Sequence, residues 1–162
     1  MNLLAETYKN LLLQTKRGNN RGFFSNAKPA YLLSIIDAIG EGYIIGNKIL
    51  YENVEVQELY KSDYRRYQNG EGLLFKANIN IPPYSMPFFH LNSEPYYHIK
   101  WKEGVTPPRQ AQSPSNKYLH NNVEFSFLDK ELWTLLQDAN FRKSMYQAIV
   151  NKFFNPTTVP TI

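Results

Sequence analysis

At 162 residues and 43% apolar composition, the chain is long enough for one filled core and is not a disordered sequence. It has no cysteine, which excludes disulfides, a thiolate nucleophile and a Cys-ligated zinc and fits a reducing, cytoplasmic setting. No apolar run reaches the length that spans a bilayer, and a net charge of +4 permits an anionic partner such as DNA.

Leu3, Leu4, Tyr8, Leu11 and Leu12 recur at helical spacing. They predict an amphipathic first helix to about Gln14 rather than a signal peptide. Residues 16–22 are basic and Gly/Asn-rich and read as a loop. Ser25 or Asn26 then caps a second helix over residues 29–40, with Pro29 in its first turn. Its apolar face (Tyr31, Leu32, Leu33, Ile35, Ile36, Ala38, Ile39) is wide enough to place it at the centre of the core. Lys28 at its start, with the first-turn amides, forms a candidate anion site. Asp37 reads as an outward or capping carboxylate. Gly40, Gly42 and Gly46 mark a turn, and residues 44–50 form a short apolar piece that pairs or packs. Asn53 caps a third helix reaching about Tyr67, with Lys61, Arg65 and Arg66 in its later part and Asn69-Gly70 as its stop. Residues 73–81 read as a short strand or extended segment.

Residues 82–101 stand out by their prolines and aromatics. Two apolar-aromatic runs, 88–91 and 96–101, flank Asn92-Ser93-Glu94-Pro95, a pattern that predicts a β-hairpin with a four-residue turn. Pro87 and Pro95 fit strand starts or edges. Residues 102–117 have no period and many breakers, so they form a loop. Residues 123–127 are β-prone. Two C-terminal helices follow, one ending near Asp138 and one over residues 140–154 with Met145, Ile149, Val150 and Phe153 inward. Asn155-Pro156 stops the second. The predicted fold class is α+β: a mainly helical single domain over residues 1–156 with a small antiparallel hairpin or sheet, then a tail over 157–162.

Hydrolytic motifs are missing. An acid-x-Lys nuclease triplet needs Asp or Glu two residues before a lysine, and no lysine here has one. His120-Asn121-Asn122 has no second metal-ligand histidine nearby and reads as a loop or strand entry. There is no Gly-x-Ser-x-Gly, phosphate-binding Gly loop or His-Glu-x-x-His. His90 and His98 lie across the predicted hairpin, each pointing to a functional face or sitting as a hydrogen-bonded, half-buried histidine, and no carboxylate is in view to complete a metal site. The basic residues Arg17, Arg21, Lys28, Arg65, Arg66, Lys100, Lys102 and Arg109 form a phosphate-contacting surface if they converge, and scattered solvated charge if they do not.

Three blocks, in order, carry a resemblance: residues 27–37 (AKPAYLLSIID), 87–98 (PFFHLNSEPYYH) and 128–138 (LDKELWTLLQD), with Arg142 and Phe153-Phe154 after them. Together they resemble the amino-terminal domain of a family of bacterial HNH-type restriction endonucleases, over most of the chain. The resemblance implies a DNA-reading module that precedes a nuclease domain. A related branch, the sulfur-binding domains, recognises phosphorothioate DNA; there a Pro-Phe turn helps form an apolar cup for the sulfur. Carried over by position, Met86, Pro87 and His90 form the cup and read the base or modification; from the basic and aromatic residues themselves, Lys28, Arg65, Arg66, Tyr84, Lys100 and Arg109 are the candidate DNA contacts. In that branch an aromatic stands at the position of Met86 and a small residue at that of His90. An imidazole there narrows the cup and makes it polar, which argues against the sulfur-specific version.

The expectation is therefore a DNA-binding specificity module with no catalytic centre, metal or cofactor of its own, partnered by DNA and by a nuclease domain or partner chain. The competing reading is a protein-interaction or dimerisation domain that docks through the aromatic hairpin.

Overall fold

The computed structural model describes residues 2–20, 23–67 and 80–154. Helix α1 (Leu3–Leu13) starts where the Asn2 side chain accepts from the Leu4 amide at 2.8 Å, and it buries Tyr8 and Leu12. The expected basic loop contains a two-residue antiparallel ladder, β1 (Asn19–Asn20) against β2 (Phe23–Phe24). Arg21 and Gly22 lie outside the described residues.

Helix α2 (Ala27–Glu41) is the axle of the fold. Every residue from 29 to 39 is buried except Asp37. Asn26 occupies the cap position but Ser25 does the capping, its hydroxyl accepting from the Ala27 amide at 3.2 Å. The helix stops at Gly42, whose φ of 80° is the left-handed conformation that favours glycine. Helix α3 (Val54–Tyr67) packs along α2 and buries Val56, Tyr60 and Asp63, one per turn. Asn53 caps it as expected, accepting from the Val56 amide at 3.1 Å. The predicted stop at Asn69-Gly70 and most of the predicted extended segment 73–81 lie outside the described residues.

The predicted hairpin is not formed. Helix α4 (Ser85–His90) and a 3-10 turn (Leu91–Ser93) replace its first strand. Pro87 stands in the first turn of α4, where an amide has no intrahelical acceptor to lose. The bond from the Phe88 amide to Tyr84 O at 3.1 Å then closes the helix around it. Phe88, Phe89 and Leu91 are all buried, a spacing that suits a helix as well as a strand. The second strand exists as β3 (Tyr97–Trp101) but pairs antiparallel with the distant β4 (Val123–Leu128). Its register sets His98 opposite Phe127 and Lys100 opposite Phe125.

Residues 102–115 are irregular, as predicted, but the loop ends early at helix α5 (Asn116–Asn122), capped by the Ser115 hydroxyl accepting from the Tyr118 amide at 3.0 Å. His120 sits in its last turn. The piece 44–50 does pair: Ile49 exchanges two backbone bonds with Ser126, at 2.7 and 2.9 Å. Asn47 continues the contact, donating to Leu128 O at 2.7 Å and accepting from the Leu128 amide at 2.9 Å. Helices α6 (Lys130–Leu135) and α7 (Ala139–Ile149) follow, the latter running into a π-helical turn (Val150–Phe154). Met145, Ile149 and Phe153 are buried, whereas Val150 is only half-buried. The expected stop at Asn155-Pro156 and the tail are outside the described residues.

The core is aromatic at its centre. Tyr31 of α2 meets Tyr84 and Tyr97 edge-on, at centroid distances of 5.5 and 5.8 Å. Tyr97 spends its single proton on Phe88 O at 2.7 Å, so the Tyr31 hydroxyl is the donor in their 3.1 Å contact. Burying each such ring contributes roughly 1.5–3 kcal/mol; the shared protons offset the cost of enclosing the Tyr31 and Tyr97 phenols, while the buried Tyr84 hydroxyl has no hydrogen-bond partner among the described residues. The predicted class, a mainly helical single domain with a small antiparallel sheet, is what forms. Among the described residues no helix is long and apolar enough to cross a membrane.

Candidate functional site

The first turn of α2, the start of α4 and the segment after α1 enclose a cup of about 330 Å³. Ala27, Met86 and Pro87 supply carbon to its lining, and Lys16, Arg17, Lys28 and His90 supply nitrogen. Of the predicted site residues, the cup gathers Lys28, Met86, Pro87 and His90.

Glu94, only 8% exposed, ties together two of the lining residues. Its Oε2 accepts from the Lys16 amide at 3.0 Å and from Lys28 Nζ at 3.4 Å. Lys28 Nζ also donates to Ser93 Oγ at 3.1 Å, and Ser93 Oγ donates to His90 O at 3.0 Å. Burial pulls the Lys28 ammonium below its ordinary pKa, with Glu94 opposing the shift. Arg17 Nη1 donates to Asn26 Oδ1 at 2.9 Å, and its guanidinium lies 5.1 Å from the Phe153 ring centroid. Burial, then the Lys28 charge, lowers the pKa of His90, so the ring is mainly neutral at pH 7. Gln110, from the 102–115 loop, brings its amide nitrogen to 3.5 Å from His90 Nδ1 and 3.4 Å from His90 O. That nitrogen can only donate, so Nδ1 accepts and the proton of the neutral ring sits on Nε2.

The other predicted contacts do not join the cup. Tyr84 is in the core, 7% exposed and packed between Tyr31, Tyr51 and Tyr60, so it cannot touch DNA. Enclosure pushes its hydroxyl pKa well up. Arg65 and Arg66 are exposed on the last turn of α3. Arg66 borders a second cavity, of about 400 Å³, with Asp37, Glu41 and Arg142. Those α2 residues lie roughly 15 Å along the helix axis from Lys28. Lys100 is exposed on the outer sheet face, 3.9 Å from Glu124 and over the Phe125 ring. Arg109 is exposed in the 102–115 loop, against a third cavity with Pro108 and Tyr118.

Two clusters went unread in the sequence. Asp63, 2% exposed, accepts from the Tyr146 hydroxyl at 3.2 Å and lies beside Asp37 of α2. Asp37 is therefore not an outward or capping carboxylate. Burial first, and then the Asp37 charge, push Asp63 up to about 8; burial also raises Asp37. His98 does have a carboxylate, on α6's cap residue rather than across a hairpin: Asp129 Oδ1 lies 2.6 Å from Nε2, and Asp129 Oδ2 accepts from the Tyr8 hydroxyl at 2.8 Å. Among the described residues no group of three or more His, Asp or Glu is placed to hold a metal ion.

What the cup can do is bind. Cations and N–H groups at its rim suit an anionic oxygen, and the carbon lining suits a small apolar body attached to it. Lys16 and Glu94 could have been suspected only from the basic run at 16–17 and from the proline after Glu94. No protein-family model matches the chain, and no curated protein matches it either.

Proposed function

We propose that this chain is a DNA-binding recognition module of the kind its three sequence blocks resemble, and that DNA docks its backbone at the Lys28–His90 cup. One observation carries the reading: Lys16, Arg17, Lys28 and His90 converge over Met86 and Pro87 at the N-terminal end of a 15-residue helix. Clustered cations at the positive end of a helix favour phosphate. In this reading the neutral His90 offers its Nε2 proton to an acceptor, which suits a phosphate oxygen or a modified backbone group with oxygen acceptors better than a sulfur. The module reads and does not cut; a nuclease domain or partner chain supplies the chemistry, in the cytoplasm. We place the competing reading, docking through an aromatic hairpin, second because Phe88, Phe89, Tyr96 and Tyr97 are all buried.

Fluorescence anisotropy with a labelled duplex tests it across a salt series. Lys16→Gln, an exposed change, should weaken binding to all sequences and lower the salt slope by about 1. His90→Gln should alter discrimination between backbone chemistries more than overall affinity. Absence of binding at low salt sinks the proposal.

A further inference from the structure

The junction of α2, α3 and α7 carries a chain of hydroxyl and carboxyl groups that the cup does not use. Tyr146 of α7 donates to Asp63 Oδ1 at 3.2 Å, so its own oxygen, 3.0 Å from the Tyr67 hydroxyl, accepts from Tyr67. Asp63 Oδ2 is fully enclosed, and none of the described groups acts as its donor. A carboxylate oxygen so enclosed loses its hydration with nothing in return. Asp37 of α2 lies beside Asp63, on the cavity that Arg66 and Tyr146 also line. Two carboxylates in that position cannot both ionise cheaply, and a proton between them answers both problems.

We propose that Asp37 and Asp63 hold one proton between them, and that this proton clasps α3 and α7 to the axle helix, so that the junction loosens in mildly alkaline solution. Asp63, the more enclosed partner, carries the proton and donates it to Asp37, which remains the carboxylate. The donor order is then complete: Tyr67 to Tyr146, Tyr146 to Asp63, Asp63 to Asp37. When the proton leaves to solvent, a hydrogen bond becomes a repulsion between α2 and α3.

The charges around the pair act in both directions. Arg66 of α3 favours the ionised forms of both acids, while Glu41 of α2 opposes ionisation of Asp37. Arg142 and Lys143 of α7 line the same cavity as Asp37. Enclosure still wins, holding Asp63 up to about 8 against an ordinary value of 3.8. The folded state therefore binds more protons than the unfolded chain between those two values. Stability falls as pH rises through that window and levels off above it.

The test is the melting temperature from pH 5 to pH 9.5 for the native chain and Asp63→Asn. Asparagine keeps the acceptor for Tyr146 and supplies an N–H for Asp37, with no proton to lose. The native melting temperature should fall toward pH 8 and then flatten. Asp63→Asn should lack that fall and melt about 5 °C or more above the native chain at pH 9. Parallel curves overturn the proposal. If Asp63→Asn does not fold, infrared spectroscopy of the native protein decides alone. A protonated-carboxyl band present at pH 6.5 and lost by pH 9.5 supports the clasp, and no such band at pH 6.5 overturns it.

Discussion

The two ends of helix α2 each enclose a carboxylate, and they treat it in opposite ways. Near the first turn, Glu94 meets an ammonium and a backbone amide. Toward the last turn, Asp63 meets another carboxyl group and a tyrosine. The two acids are comparably hidden, at 8% and 2% exposure. Their neighbours differ: the first faces an opposite charge, whereas burial and a like charge together raise the pKa of the second.

That contrast can be broken from either side. The largest effect should come from Lys28→Ala, which leaves Glu94 enclosed without its cation. We expect a loss of about 2–3 kcal/mol in urea unfolding, below the full cost of orphaning a buried charge because Lys28 keeps some solvent access. Adding Glu94→Gln should restore much of it; no recovery in the double variant would show that Lys28 matters for packing rather than charge. Tyr146→Phe comes next. It removes one donor from Asp63 and one acceptor from Tyr67, and should cost about 1 kcal/mol at pH 7. Gly42→Ala should cost a similar ~1 kcal/mol from its left-handed backbone alone, since nothing lies within 4 Å of the new methyl. The smallest change in stability belongs to His90→Gln, but it should flatten a pH profile. With the native ring, DNA affinity should rise as pH falls below 6.5 toward the lowered His90 pKa, because protonation adds a cation to the cup. A native profile as flat as the variant's removes His90 from the site.

The long helices were legible because their apolar residues repeat with the helical period, and α2 declared its central place by a wide apolar face. The segment 85–93 was not. Phe88, Phe89 and Leu91 fit a helix or a strand, and the turn residues at 92–95 favour the strand locally, whereas the true partner of β3 lies beyond a long loop and a further helix. Helix α5 is short and starts directly after proline- and serine-rich chain, where local signals say loop. The cup was legible in part: Lys28, Met86, Pro87 and His90 were singled out and do meet. Their link through Ser93 and Glu94 was not, since a four-residue turn gives no hint that its side chains point at α2. The Asp37–Asp63 contact joins two helices through residues that look like ordinary surface acids in each one taken alone.

The contact of Asn47 and Ile49 with β4 has a consequence for assembly. A two-stranded sheet ordinarily presents unpaired amides and carbonyls on which a foreign strand can grow. Here Ile49 takes both backbone groups of Ser126, and the Asn47 amide takes both of Leu128, imitating a strand with a side chain. Along that stretch the outer edge of β4 is already spoken for. Asn47→Ala would reopen the Leu128 end, and the first symptom to look for is a growing scattering signal rather than a lower melting temperature.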